Sequence, residues 1–223
     1  MNIEDIRVRS GQWQRRYPVT IALVIALDVG ALATGTVAGG LSRRLLDRFG
    51  FAPRDLWAVD LWRMFSSALI THGRGIFASA LLMVTVAVGA LERRAGSRWA
   101  LAAFWGVHLW TLLILSLTLR PAEAAMRPSL VQRITTIRDV GPSAGYFGCL
   151  GLLLATVPNR RLRAVLAAGV LCWLGADLVG WVPMGSTLAQ DLSAALAHLI
   201  AFPTGWLAGE IGMRFGDLRE RGR

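Results

Sequence analysis

Six apolar stretches divide the chain, at about residues 18–40, 66–91, 99–119, 142–157, 164–183 and 191–212. Crossing a hydrocarbon core of about 30 Å takes about 20 helical residues, so five stretches have the length of a span and the fourth is short. The pattern predicts an all-α polytopic membrane protein of six transmembrane helices: one membrane domain over 18–212, an N-terminal tail over 1–17 and a basic tail over 213–223. The connection over 41–65 contains LSRRLLDRFGF and DLWAVDLWRMF. Its leucine, tryptophan and arginine suit a segment lying in the membrane interface. The first apolar stretch is too long for the core of a cleaved signal peptide, so it is expected to be a retained span.

Composition agrees. The 223 residues are 54% hydrophobic and 17% charged, with a mean hydropathy of +0.50, which excludes an ordinary soluble domain. All 24 basic residues are arginine, a usage that fits a GC-rich bacterial genome. They sit in short clusters between apolar spans, where anionic headgroups and the positive-inside bias account for them and nucleic acid is not implied. Placing the N-terminus inside gives the cytoplasm fourteen arginines in compact segments and leaves ten spread over two outer loops. Both termini are therefore expected in the cytoplasm, with the chain in a bacterial inner membrane. Cys149 and Cys172 both lie in apolar runs and read as free thiols, not as a disulfide or metal pair.

Chemistry is sparse. Ser143 opens the fourth stretch and His198 lies seven residues into the sixth, which also starts outside. At 1.5 Å per residue the histidine is roughly 10 Å down, in the same outer half of the bilayer. A hydroxyl beside an imidazole there forms a serine nucleophile with its general base. Gly141, Gly145, Gly148 and Gly151 give the fourth span a face of nearly bare backbone, and Ala194, Ala197, Ala201 and Gly205 give the sixth a matching one. Such faces allow close helix contact, which by itself also explains a small serine.

His108 sits between Trp105 and Trp110 in AAFWGVHLWTLL. It reads as an interhelical hydrogen bond or as a ligand to haem or a chlorophyll-type magnesium. Asp28 and Asp177 are intramembrane acids that need polar contacts inside the bundle. No metal site is expected, and no cofactor apart from that possible tetrapyrrole at His108.

The order of these landmarks resembles the rhomboid intramembrane serine proteases. The resemblance rests on Trp62-Arg63 in the first outer loop, His72 opening span two, Glu92 between Gly89 and Gly96, Gly141-Pro142-Ser143 opening span four, and Ala197-His198 with Ala201 and Gly205 in span six. It covers about residues 56–212 and implies a six-helix rhomboid-like bundle. Carried over, it makes Ser143 the nucleophile and His198 the base. The family's Gly-x-x-x-Glu motif is imperfect here, because Val88 stands where it has glycine.

The departures fall on the oxyanion support. In active members the histidine at position 72 is followed by a second histidine and an asparagine, where this chain has Phe77 and Leu81. Neither side chain donates a hydrogen bond, and each lost donor costs a factor of about 10² to 10³ in rate. The glycine after the serine is Ala144, and the tyrosine that packs on the family's histidine is matched by Phe147, with Tyr146 one residue out of register. His72 and Tyr146 are the residual candidates for support. The expectation is a rhomboid-like protein that binds other membrane proteins or transmembrane helices without efficient proteolysis. Two alternatives stay open: a serine endopeptidase using Ser143 and His198, and an accessory subunit of a respiratory or photosynthetic membrane complex.

Overall fold

Helix boundaries follow the chain's own punctuation. In the computed structural model, which describes residues 17–125, 128–180 and 188–221, α1 (Pro18–Thr34) starts with proline at its first turn and stops at Gly35, φ 74°. Proline loses nothing where the N–H is unpaired anyway, and glycine takes the left-handed closing conformation without strain. Hydropathy alone carries this span to Gly40; the glycine ends it at Thr34. The tail over 1–16 lies outside the described residues.

Three short helices follow, α2 (Arg43–Phe49), α3 (Pro53–Trp57) and α4 (Arg63–Ser66), the last continued by a 3-10 turn over Ser67–Leu69. α5 (Arg74–Ala95) then runs to Gly96, φ 90°, with a wide π turn over Val84–Val88. Its start is a correction to the second apolar stretch, whose opening residues 66–69 belong to the short turns before it. α6 (Ser97–Ala125), α7 (Pro128–Thr136), α8 (Ser143–Ala155), α9 (Arg160–Gly180) and α10 (Leu188–Arg221) complete the described chain.

Three of these helices are long and apolar enough to cross a membrane, over Arg74–Ala95, Ser97–Ala122 and Ala189–Gly212. α1 and α8 are apolar but shorter, and α9 opens on Arg160, Arg161 and Arg163, which shortens its apolar run. Large apolar side chains face outward on every long helix, among them Leu32, Leu82, Trp110, Val165 and Leu207. A surface of that kind suits lipid and not water.

The core gathers around α8, which touches α5, α6, α9 and α10. One cluster joins Leu27, Val84, Val88, Leu91, Phe104 and Cys149; a second joins Val107, Ala144, Phe147, Leu174, Ala201 and Phe202. The glycines of α8 do not serve one partner. Gly145 and Gly148 face Phe104 and Val107 of α6, whereas Gly151 meets the Phe202 backbone of α10. A Cβ added at Gly205 would lie 2.0 Å from the Gly148 carbonyl oxygen, so α8 and α10 touch backbone to backbone. Gly141 lies outside the helix, at φ 146°, and donates its N–H to the Ser67 carbonyl at 2.7 Å.

Polar side chains fasten the two ends. At one end Glu92 accepts from the N–H groups of Val19 at 2.9 Å and Thr20 at 2.8 Å, and from the Thr20 hydroxyl at 2.7 Å. The carboxylate thereby satisfies N–H groups that the first turn of α1 leaves open. Arg94 donates to the Thr156 carbonyl at 2.7 Å at the same end. At the other end the connection over 41–65 is a built platform. Arg63 pairs with Asp60 and reaches the carbonyls of Asp47 and Arg48, and its guanidinium lies 5.0 Å from the Trp62 ring. The hydrogen bond and charge of Arg63 hold the Asp60 carboxyl below the usual carboxylate range. Arg138 pairs with Asp55 and bonds the Gly50 carbonyl at 3.0 Å, tying the platform to the segment that leads into α8.

Candidate functional site

Ser143 is the first residue of α8, directly after Pro142. The segment before it is pinned on both sides: Asp139 and Phe51 exchange backbone hydrogen bonds at 2.9 and 3.0 Å, and Gly141 is held by Ser67. The serine lines a cavity of about 40 Å³ together with Ser67, His108, Asp139, Ser193 and Ala197. Helix starts leave backbone N–H groups unpaired, so Ser143 sits where a polar group would be welcome. The space is the size of one or two waters and far below that of a peptide.

His198 lies elsewhere on the same helix pair. Its ring packs against Phe147, one turn beyond Ser143 on α8, with centroids 4.6 Å apart and planes tilted by 42°. Its Nε2 is buried and has no hydrogen-bond partner among the described residues. A serine nucleophile and its base are joined when their atoms approach to about 2.6–3.2 Å. Adjacent helices carry Ser143 and His198, but no hydrogen bond between them is present among the described residues. Phe147 occupies the place where the rhomboid resemblance puts a ring against the histidine.

His72 belongs to a different constellation. Its Nε2 is 2.8 Å from Asp139 Oδ1 and 2.6 Å from the Gln190 side-chain amide. A carboxylate only accepts, so the ring donates from Nε2 to Asp139, and the amide orientation consistent with that proton turns the Gln190 oxygen toward the ring. Asp139 also accepts from the Val140 N–H at 2.8 Å. The three side chains join the segments that lead into α5 and α8 to the start of α10.

Tyr146 packs at the edge of both core clusters and lies 5.0 Å from the Phe147 ring, with no place in the cavity beside Ser143. Phe77 and Leu81 pack against the cluster around Leu27 and Phe104, also away from that cavity. His108 is buried; its Nε2 donates to the Met64 carbonyl at 2.9 Å, and its Nδ1 has no partner among the described residues. It therefore ties α6 to α4 in the platform, as an interhelical polar contact does. The adjoining cavity, about 40 Å³, is much smaller than the several hundred Å³ that a ligand the size of a tetrapyrrole occupies. Both cysteines are free, and no group of three or more metal-binding side chains exists among the described residues.

Asp139, Gln190, Ser67 and Ser193 carry polar chemistry that sequence reasoning did not single out. The motif DVGPS contains Asp139, but nothing in its spacing points to His72, 67 positions before it, or to Gln190, 118 positions after that histidine. Comparison with protein-family models and with curated proteins found no match.

Proposed function

We propose that this chain is a six-span, rhomboid-like integral membrane protein that binds other membrane proteins or transmembrane helices without efficient proteolysis. The observation that carries this reading is that no hydrogen bond joins the two would-be catalytic groups among the described residues: Ser143 borders a cavity of about 40 Å³, and the His198 ring packs on Phe147. The oxyanion positions Phe77 and Leu81 point the same way, since both are half-buried apolar side chains packed on the core without a donor. Further support comes from the clustering of Glu92 and Arg94 at one end of the bundle and of Arg63, His72 and Ser143 at the other. That sorting suits a chain in a bacterial inner membrane with both termini in the cytoplasm.

A second reading, a serine endopeptidase, draws on the backbone contact between Gly148 and Gly205, which holds the Ser143 and His198 helices close enough for a local rearrangement to join them. The two are separated by reconstituting the full chain in liposomes with single-span reporter helices labelled for energy transfer. The binding reading predicts energy transfer with the reporter intact on a gel. Cleavage that disappears in both Ser143→Ala and His198→Ala overturns it.

A further inference from the structure

A groove of about 820 Å³ lies away from Ser143, between α1 and α5. Ile21, Val24 and Ile25 form one wall, Val86 and Ala90 the other, and Leu153 of α8 the floor. Two local features hold it open. The π turn over Val84–Val88 swells α5 within the wall, a device common at functional positions. Gly89 and Ala90 then put small residues opposite α1, and a Cβ at Gly89 would still only touch Thr20, at 3.6 Å. The clamp of Glu92 on Val19 and Thr20 fixes the spacing of the two helices at the groove's end.

That end is basic. Arg93 and Arg94 line the groove beside Tyr17, whereas the rest of the lining is apolar apart from Thr20 and Thr85. The adjacent acid does not neutralise them, because Glu92 is buried and spent on α1. Arg93 and Arg94 make no ion pair among the described residues, and the one tie of Arg94 is to the Thr156 carbonyl. From Tyr17 to Ile25 is about 12 Å of helix, the depth of an upper acyl chain below its headgroup. Arginines without an ion-pair partner at the membrane surface attract anionic lipid headgroups.

We infer that this groove is a binding site for an anionic glycerophospholipid, its phosphate at Arg93 and Arg94 and one acyl chain between α1 and α5. The site is independent of any chemistry at Ser143. It is tested with the full chain in neutral detergent by native mass spectrometry, titrating phosphatidylglycerol against phosphatidylcholine of the same chain length, with inorganic phosphate as competitor. The expected result is one retained phosphatidylglycerol, at least about tenfold tighter than phosphatidylcholine. Arg93→Gln, on an exposed side chain, is expected to reduce that preference several-fold; Val86→Trp, which fills the groove, is expected to lose the lipid. Excess inorganic phosphate is expected to leave the adduct in place, since it lacks the chain. Equal retention of the two lipids, a preference unchanged in Arg93→Gln, displacement by phosphate alone, or an adduct whose mass is a peptide overturns the inference. Should Val86→Trp not fold, the Arg93→Gln comparison decides.

Discussion

The His198 ring centroid lies 4.6 Å from that of Phe147, and its buried Nε2 meets no partner among the described residues. The histidine is thus packed as an aromatic side chain. A buried polar atom without a partner costs about 1–3 kcal/mol, whereas an aromatic pair contributes about 0.5–1.5 kcal/mol. His198→Phe keeps the second and removes the first. It should raise the thermal midpoint in detergent by about 2–4 °C. His198→Ala should lower it, losing the ring contact and leaving a cavity. A drop in His198→Phe would mean that Nε2 has a partner in the native protein.

The α8–α10 contact is made of backbone. Because a Cβ at Gly205 would come within 2.0 Å of the Gly148 oxygen, Gly205→Ala forces the helices apart. We expect a loss of about 2–3 kcal/mol, in the range of overpacked cores. Gly106, on α6, has nothing within 4 Å of an added Cβ. Gly106→Ala should therefore leave stability unchanged or raise it by about 0.5–1 kcal/mol, as alanine does in a helix interior. Denaturation of both variants in the same detergent measures the contrast.

Glu92 anchors α1 through three hydrogen bonds. Glu92→Gln presents an NH₂ to one of those donors and leaves it unpaired, at about 1–3 kcal/mol. The effect should be local: faster hydrogen exchange at Val19, Thr20 and Ile21, with little change in α8. Exchange that rises uniformly along the chain would show that Glu92 supports the whole bundle instead.

Much of this architecture can be read from hydropathy, because lipid-facing and core positions are both apolar and a long apolar run has few alternatives to a helix. α5, α6 and α10 stand out on that basis. Ends were harder. Residues 66–69 and 35–40 carry no charge that would mark them off from the spans beside them, and the left-handed Gly35 and the break at Gly73 separate turn from helix. The glycine face of α8 was visible, but its division between Phe104, Val107 and the Phe202 backbone depends on where α6 and α10 stand. The His72, Asp139 and Gln190 constellation was invisible for the same reason, since its members meet only when three helix ends converge.

The central claim is that Ser143 and His198 form a packed framework and not a working dyad. Its most direct test is labelling of the purified full chain by a fluorophosphonate serine probe, beside Ser143→Ala and His198→Ala. The account predicts background labelling that is the same in all three proteins. Labelling of the wild-type chain that is abolished in each variant would contradict it and make the protein a serine hydrolase.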